Sequence, residues 1–196
     1  MTEDQINEAQ SLVFAGEILT TPDLVLRAPG KDDVSDITNL ANNRKVSSML
    51  ESLPYPYYDK HAEEFIDQVS KPDAGECVFA ITHSETGALM GMCGLHLVKR
   101  RFNLAHMGYW LGEDYWGKGY ATQAARAMVD LFFKAGSEDQ LLMSVLSTNT
   151  ASRRVIEKCG GKFWKRDTNF SSFFEKDMDV DHFRITRESW MGAIAA

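Results

Sequence analysis

Apolar residues recur along this chain in two periods. In residues 120–134, Ala121, Ala124, Ala125, Met128 and Phe132 fall at i, i+3, i+4 spacing, the mark of a helix with one buried face. Gly136 is its expected stop. The same spacing joins Val34, Ile37, Leu40 and Ala41 and predicts a helix over 31–50. Residues 59–70 and 150–159 read as two more helices, the last closed by Gly160 and Gly161. Strand-like runs cover 24–27, 76–82, 89–98, 105–111, 141–146, 162–166 and 178–186. Residues 84–87 and 100–103 read as turns, and 53–58 as a loop, because its two prolines stop any helix. Residues 1–17 begin polar and acidic and predict no element. The order β-α-α-β-β-β-α-β-α-β-β predicts a mixed α/β sheet in one domain.

At 196 residues the chain is long enough to build a substantial single core. A net charge of −7 argues against a broad nucleic-acid or anionic-membrane surface, since both need a basic footprint. Cys77, Cys93 and Cys159 are widely spaced, with no Cys-x-x-Cys and no histidine cluster at metal spacing. Free thiols in a reducing compartment, and no metal, are expected. The chain does not open with a basic region followed by an apolar run, and no apolar stretch nears the ~18 residues of a membrane span. A cytoplasmic location is the expectation.

Residues 105–134 carry the candidate chemistry. A strand ends at Leu111, a glycine-containing turn covers 112–119, and the helix follows without a break. Such a junction collects backbone N–H groups and partial positive charge at a helix N-terminus, a site for phosphate. Two nucleotide motifs come close and fail. After Gly117 and Lys118, Gly119 stands where a P-loop needs a hydroxyl for Mg²⁺. A dinucleotide fingerprint begun at Gly117 and Gly119 meets Thr122 in place of its third glycine, with no convincing ribose-binding acid beyond. Another phosphorylated cofactor is expected; a plain helix start behind a flexible turn is the alternative.

These residues resemble the GNAT superfamily of acyl-CoA-dependent N-acyltransferases over roughly residues 18–186, and within it the RimJ/RimL-like branch, which acetylates protein N-terminal amines. Residues 18–27 look like that branch's opening strand, with Asp23 where arginine is frequent. Gly108, Tyr109, Trp110 and Leu111, then 117–122, look like its cofactor motif. Asn149 to Ser152, residues 155–158, Gly160 and Gly161 resemble its second motif. The CoA loop pattern Gln/Arg-x-x-Gly-x-Gly/Ala falls on 116–121, with Trp116 replacing the polar residue. The resemblance implies a GNAT domain over 18–196 after an extension at 1–17. It implies a mixed, mostly antiparallel central sheet flanked by helices, with the strands at 106–111 and 141–146 splayed for the pantetheine arm. It implies acetyl-CoA as donor and a primary amine as acceptor, above all a protein or peptide α-amine, in a chain that can be a homodimer. A small-amine acceptor (polyamine, amino acid or aminoglycoside), a CoA sensor without turnover and a nucleotide-binding module stay open.

The resemblance also assigns roles. Trp116, Gly117, Lys118, Gly119, Tyr120, Ala121 and Thr122 form the pyrophosphate loop. A backbone N–H near Trp110 or Leu111 polarises the thioester carbonyl. Asn149 holds the pantetheine, and Ser152 is the candidate acid at the CoA sulfur; both equally suit a helix start. His106 stands where the family often has glutamate, on the strand face of Gly108 and Trp110. An imidazole, with an ordinary pKa of ~6.5, can take a proton at neutral pH. His106 is therefore the candidate base, unless it merely hydrogen-bonds on the sheet. Glu113 is a second candidate, expected to be solvated, and Arg154 and Lys158 can reach CoA phosphates or stay solvated. Gly108 either permits close backbone approach or relieves crowding. Tyr55, Tyr57 and Tyr58 are expected to bind substrate, flanking the acceptor groove with Phe170, Phe173 and Phe174. Core packing or a dimer contact would use the same aromatics, and Trp110 and Trp164 share that ambiguity.

Overall fold

A computed structural model describes residues 18–50, 53–71, 76–98, 104–136 and 138–194. The readings of 1–17 and of the turn at 100–103 lie outside the described residues. The opening segment, expected as one strand, is a hairpin of β1 (Leu19–Thr20) and β2 (Leu24–Arg27). Pro22 has no N–H to give a ladder, and the chain turns there, with the Thr21 N–H donating to Leu24 O at 2.9 Å.

A 3₁₀ turn at Lys31–Asp33 leads into α1 (Val34–Ala41), whose Ile37 and Ala41 are buried. The single helix expected over 31–50 stops at Asn42. Asn43 is extended, and its side chain accepts from the Lys45 N–H at 2.8 Å, which starts a new short helix, α2 (Arg44–Ser47). α3 (Asp59–Val69) follows, then β3 (Glu76–His83), β4 (Leu89–Val98) and β5 (Leu104–Leu111). After a 3₁₀ turn at Glu113–Tyr115 come α4 (Tyr120–Ala135), β6 (Gln140–Leu146) and α5 (Thr150–Lys158). β7 (Lys162–Ser171) and β8 (Lys176–Thr186) are longer than expected, because they pair with each other almost to the turn. A final helix, α6 (Arg187–Ile194), has no counterpart in the sequence reading. Its Trp190 stacks on Phe133 at 5.2 Å, and Arg187 donates to Phe133 O, Gly136 O and Glu138 O at the end of α4.

The eight strands form one sheet in the order β1-β2-β3-β4-β5-β6-β8-β7. Every neighbouring pair is antiparallel except β5 and β6, which run parallel. Alternation divides the residues between two layers. On one face, Phe79, Ile81, Met107, Met143 and Phe183 pack with Met128 and Phe132 of α4 and Ile156 of α5. On the other, Ile37, Ala41, Ala62 and Ile66 of α1 and α3 pack over Ala80 and Met92. Among the described residues, that second cluster contains nothing from β6, β7 or β8. Cys93 and Cys159 are buried and Cys77 is half-buried, all as free thiols. Burial pushes the Cys159 thiol up to about 11.

Candidate active site

β6 pairs with β5 only where Ala105, His106 and Met107 meet Leu141, Leu142 and Met143. Beyond Met107 the strands part, and a cleft of about 1020 Å³ opens between them. Gly108 lines it, and a Cβ added there would meet nothing within 4 Å. Gly108 therefore does not relieve crowding; a side chain would project into the cleft.

The loop that follows supplies the mouth of the cleft. Gly117 and Gly119 have φ of 74° and 88°, the left-handed region that favours glycine. Gly119 is the N-cap of α4 and brings no side-chain cap, so the leading N–H groups of the helix are not taken up by a capping side chain. Gly117, Gly119, Tyr120, Ala121 and Thr122 all line the cleft. Trp116 lines it too, and its indole Nε1–H donates to Leu111 O at 2.7 Å, tying the loop to the strand end. Lys118 is not among the lining residues; its ammonium lies 5.9 Å from the Tyr115 ring. Behind the loop, Gln123 Nε2–H donates to Asp23 Oδ2 at 2.6 Å and Gln123 Oε1 accepts from Thr21 Oγ1 at 2.8 Å. Asp23 thus fastens α4 to the opening hairpin, a structural contact. Arg154 and Lys158 add positive charge to the wall formed by α5.

Asn149 and Ser152 start a helix and also face the cleft. Asn149 Oδ1 accepts from the Ser152 N–H at 3.0 Å, capping α5, and both residues line the cleft. The Tyr109 hydroxyl donates to Ser152 Oγ at 3.0 Å. Burial pushes the Tyr109 phenol up to about 12, so it keeps its proton at neutral pH. His106 Nε2 lies 2.9 Å from Ser144 Oγ on β6, and that oxygen lies 2.8 Å from His182 Nδ1 on β8. Ser144 and His182 were not singled out by sequence, and Tyr109 was named only as part of the motif strand, with no role of its own; a strand tyrosine or serine carries no local mark of chemistry.

Glu113 lies at the surface, partly exposed, and is not among the residues lining the cleft. It pairs with Lys45 and accepts from Asn43 Nδ2 at 3.0 Å, and these partners hold its carboxyl below the usual range. The three expected substrate tyrosines are not among the residues lining the cleft. Tyr57 is buried in the α1–α3 core, Tyr55 packs on Phe173 at 5.8 Å, and Tyr58 packs on His61 at 5.7 Å. Val46, Met49 and Leu50, together with His96, Trp164 and Asn169, line the cleft instead. The break after α1 is what delivers the first three there. Among the described residues, no group of His, Cys, Asp and Glu could hold a metal ion, and no helix is long and apolar enough to cross a membrane.

A family model described as an acetyltransferase (GNAT) domain matches residues 23–162. The uncharacterized N-acetyltransferase p20 of Bacillus licheniformis is 25% identical over 142 residues, covering 71% of this chain and 79% of p20. Two further curated relatives are matched over 58% of their own length. RimJ of Mycobacterium smegmatis, solved in complex with CoA-disulfide, shares the fold at a TM-score of 0.76 and 17% identity, over 88% of both chains. Spermidine N-acetyltransferase of Vibrio cholerae, solved with CoA and spermine, does so at 0.75 and 22%, over 87% of this chain and 99% of that one. With a family model over most of its length and the splayed strand pair in place, the chain belongs to the GNAT family of acetyl-CoA-dependent N-acetyltransferases.

Proposed function

We propose that this N-acetyltransferase acts on the α-amine of a protein or peptide N-terminus. The observation that carries the reading is the charge of the cleft. Its charged lining residues among those described are Arg154, Lys158 and Lys165, with no carboxylate. A polyamine or aminoglycoside brings several positive charges, which need facing carboxylates when desolvated. A peptide N-terminus brings one ammonium, and its loss of a proton leaves a neutral group. The apolar wall of Val46, Met49, Leu50 and Trp164 suits the first side chains of such a peptide. In this reading the catalytic unit extends over 18–196, with 1–17 as an extension.

The cleft fits the donor: it lies at the upper end of ligand-pocket size, and its mouth is a glycine loop at a helix N-terminus flanked by two cations. Acetyl-CoA, when bound, supplies the acetyl group as a thioester and departs as a thiolate. Trp116, Gly117 and residues 119–122 would hold the pyrophosphate, with Arg154 and Lys158 beside the phosphates. A backbone N–H near Trp110 or Leu111 donates to the thioester carbonyl. His106 takes the proton of the incoming ammonium, directly or through water. Ser152 Oγ donates its hydrogen toward the departing sulfur while accepting from Tyr109.

A peptide with one free α-amine and one internal lysine tests this reading. After incubation with acetyl-CoA, tandem mass spectrometry is expected to place the acetyl group on the α-amine. Acetylation only at lysine, or of spermidine in preference to any peptide, would overturn it.

A further inference from the structure

A row of polar side chains crosses one side of the sheet from strand to strand. Glu76 on β3 is the register partner of His96 on β4, and His96 is the partner of His106 on β5. His106 Nε2 reaches Ser144 Oγ on β6 at 2.9 Å. Ser144 is the register partner of His182 on β8 and touches its Nδ1 at 2.8 Å. His182 Nε2 is buried with no hydrogen-bond partner and lies 3.6 Å from Asp167 Oδ2 on β7. Directly paired residues project to the same side of a sheet, so the row is a consequence of register. A hydrogen bond from Lys165 keeps the Asp167 carboxyl below the usual range, so it is ionised at neutral pH.

One hydroxyl decides how the row is wired. Ser144 has a single proton to donate, so with both rings neutral it donates to one imidazole and accepts from the other. If it donated to His106, His182 would spend its proton at Nδ1. The buried Nε2 would then turn a bare lone pair toward the Asp167 carboxylate, which is repulsive. In the other wiring His182 carries its proton at Nε2, aimed at Asp167. Its Nδ1 accepts from Ser144, and Ser144 accepts from the His106 Nε2–H. Only this arrangement sets a donor against the carboxylate. It makes neutral His106 the Nε2–H tautomer, with its lone pair on Nδ1.

We propose that His182 and Asp167 are positioning residues for acetyl transfer, holding His106 through Ser144 in the tautomer whose Nδ1 takes the proton of the acceptor amine. The proposal rests on the reading of His106 as base. In the step, an ammonium N–H bond breaks and a His106 Nδ1–H bond forms. The positive charge gained by the ring is then shared along Nε2–H, Ser144 and His182 toward the Asp167 carboxylate. No other reactant is consumed. Among the described residues, the ionisable groups beside the row include His96 with Glu76 at 3.1 Å on one side, Lys165 beside Asp167 on the other, and Asp181, next to His182 on β8, whose carboxyl is held down in part by His182.

Nitrogen-15 NMR of the imidazoles, on the full chain without any acceptor, tests the wiring. Two variants are used: His182→Phe, and Asp167→Asn at a partly exposed position where folding is not at stake. Wild-type His106 is expected as the Nε2–H tautomer, and His182→Phe as a mixture of tautomers. With whichever amine is turned over, His182→Phe should lower kcat about tenfold, less than the roughly 10²–10⁴-fold of a positioned base, at unchanged KM for acetyl-CoA. Asp167→Asn should move the acid limb of the pH profile to lower pH, because the imidazolium loses its carboxylate. A wild-type Nδ1–H tautomer, or a tautomer and acid limb unchanged in both variants, would overturn the proposal. Full turnover in His106→Ala with the tautomer as expected would remove the base beneath it while leaving the wiring intact.

Discussion

Gly119 stands at a φ of 88° at the mouth of the cleft, where a Cβ would meet nothing within 4 Å. A glutamate there is strained in backbone and sets a negative charge against the phosphate site. Gly119→Glu is expected to abolish acetyl-CoA binding by calorimetry while the circular dichroism of the fold persists. At the other end of the cleft, His106→Ala should lower kcat at neutral pH by at least about 100-fold and leave acetyl-CoA affinity nearly unchanged. An unchanged kcat and pH profile would show that His106 is not the base. The place of His106, Asn149 and Ser152 on the cleft lining was legible because their types stand at marked points of a motif. Ser144 and His182 were not, since β6 pairs with β8 past an intervening strand, and no local spacing shows which strands meet. Tyr57 misled for a related reason: a proline-rich loop reads as exposed, yet this ring is only 4% exposed beneath α1 and α3.

The parting of β5 from β6 is the element on which function depends. Three paired residues hold the strands together, and the following ones diverge around Gly108. Because that position is open, Gly108→Val should fold with a melting temperature close to wild type and yet raise KM at least about tenfold, about 1.4 kcal/mol of lost binding. A variant that loses both stability and binding would count against this. Gln123 shows the opposite case. It joins the second turn-forming residue of the hairpin and Thr21 to the start of α4, and Gln123→Ala strands the partly buried Asp23 and Thr21 groups. Urea unfolding should show a loss of about 1–3 kcal/mol. Helical periodicity was enough to find α1, α3, α4 and α5. It ran α1 on through Asn42 and Asn43, where side-chain capping overrides propensity, and it gave no sign of α6, which no buried stripe marks.

At the scale of the whole molecule, two carboxylates paired with neighbouring arginines set the response to acid. Asp33 accepts from both Arg27 guanidinium nitrogens at 2.8 and 2.7 Å, and buried Asp181 is bracketed by Arg166 at 2.6 and 3.0 Å. Those hydrogen bonds hold both carboxyls below their ordinary values. An aspartate in the unfolded chain titrates at about 3.9, so the stabilisation is full above that pH. As pH falls further, the unfolded chain takes up protons first, and stability is lost down through the folded values. The urea midpoint is therefore expected to be flat from about pH 7 to 5 and to fall below about 4. Asp181→Asn should lower stability at neutral pH by about 3 kcal/mol and weaken that acid dependence. The mixed sheet and its helical layers were legible from the alternation of periods together with two ordered motifs. The cleft wall of Val46, Trp164 and His182 was not, because α2, β7 and β8 reach it from far apart in sequence.

Free-thiol release from acetyl-CoA, measured against N-terminal peptides and small amines in parallel, tests the central claim most directly. Release with peptides carrying a free α-amine, lost when that amine is blocked, is the expected result. Release with small amines alone, or none with any acceptor while acetyl-CoA still binds, would contradict the assignment of this cleft to peptide N-terminal acetylation.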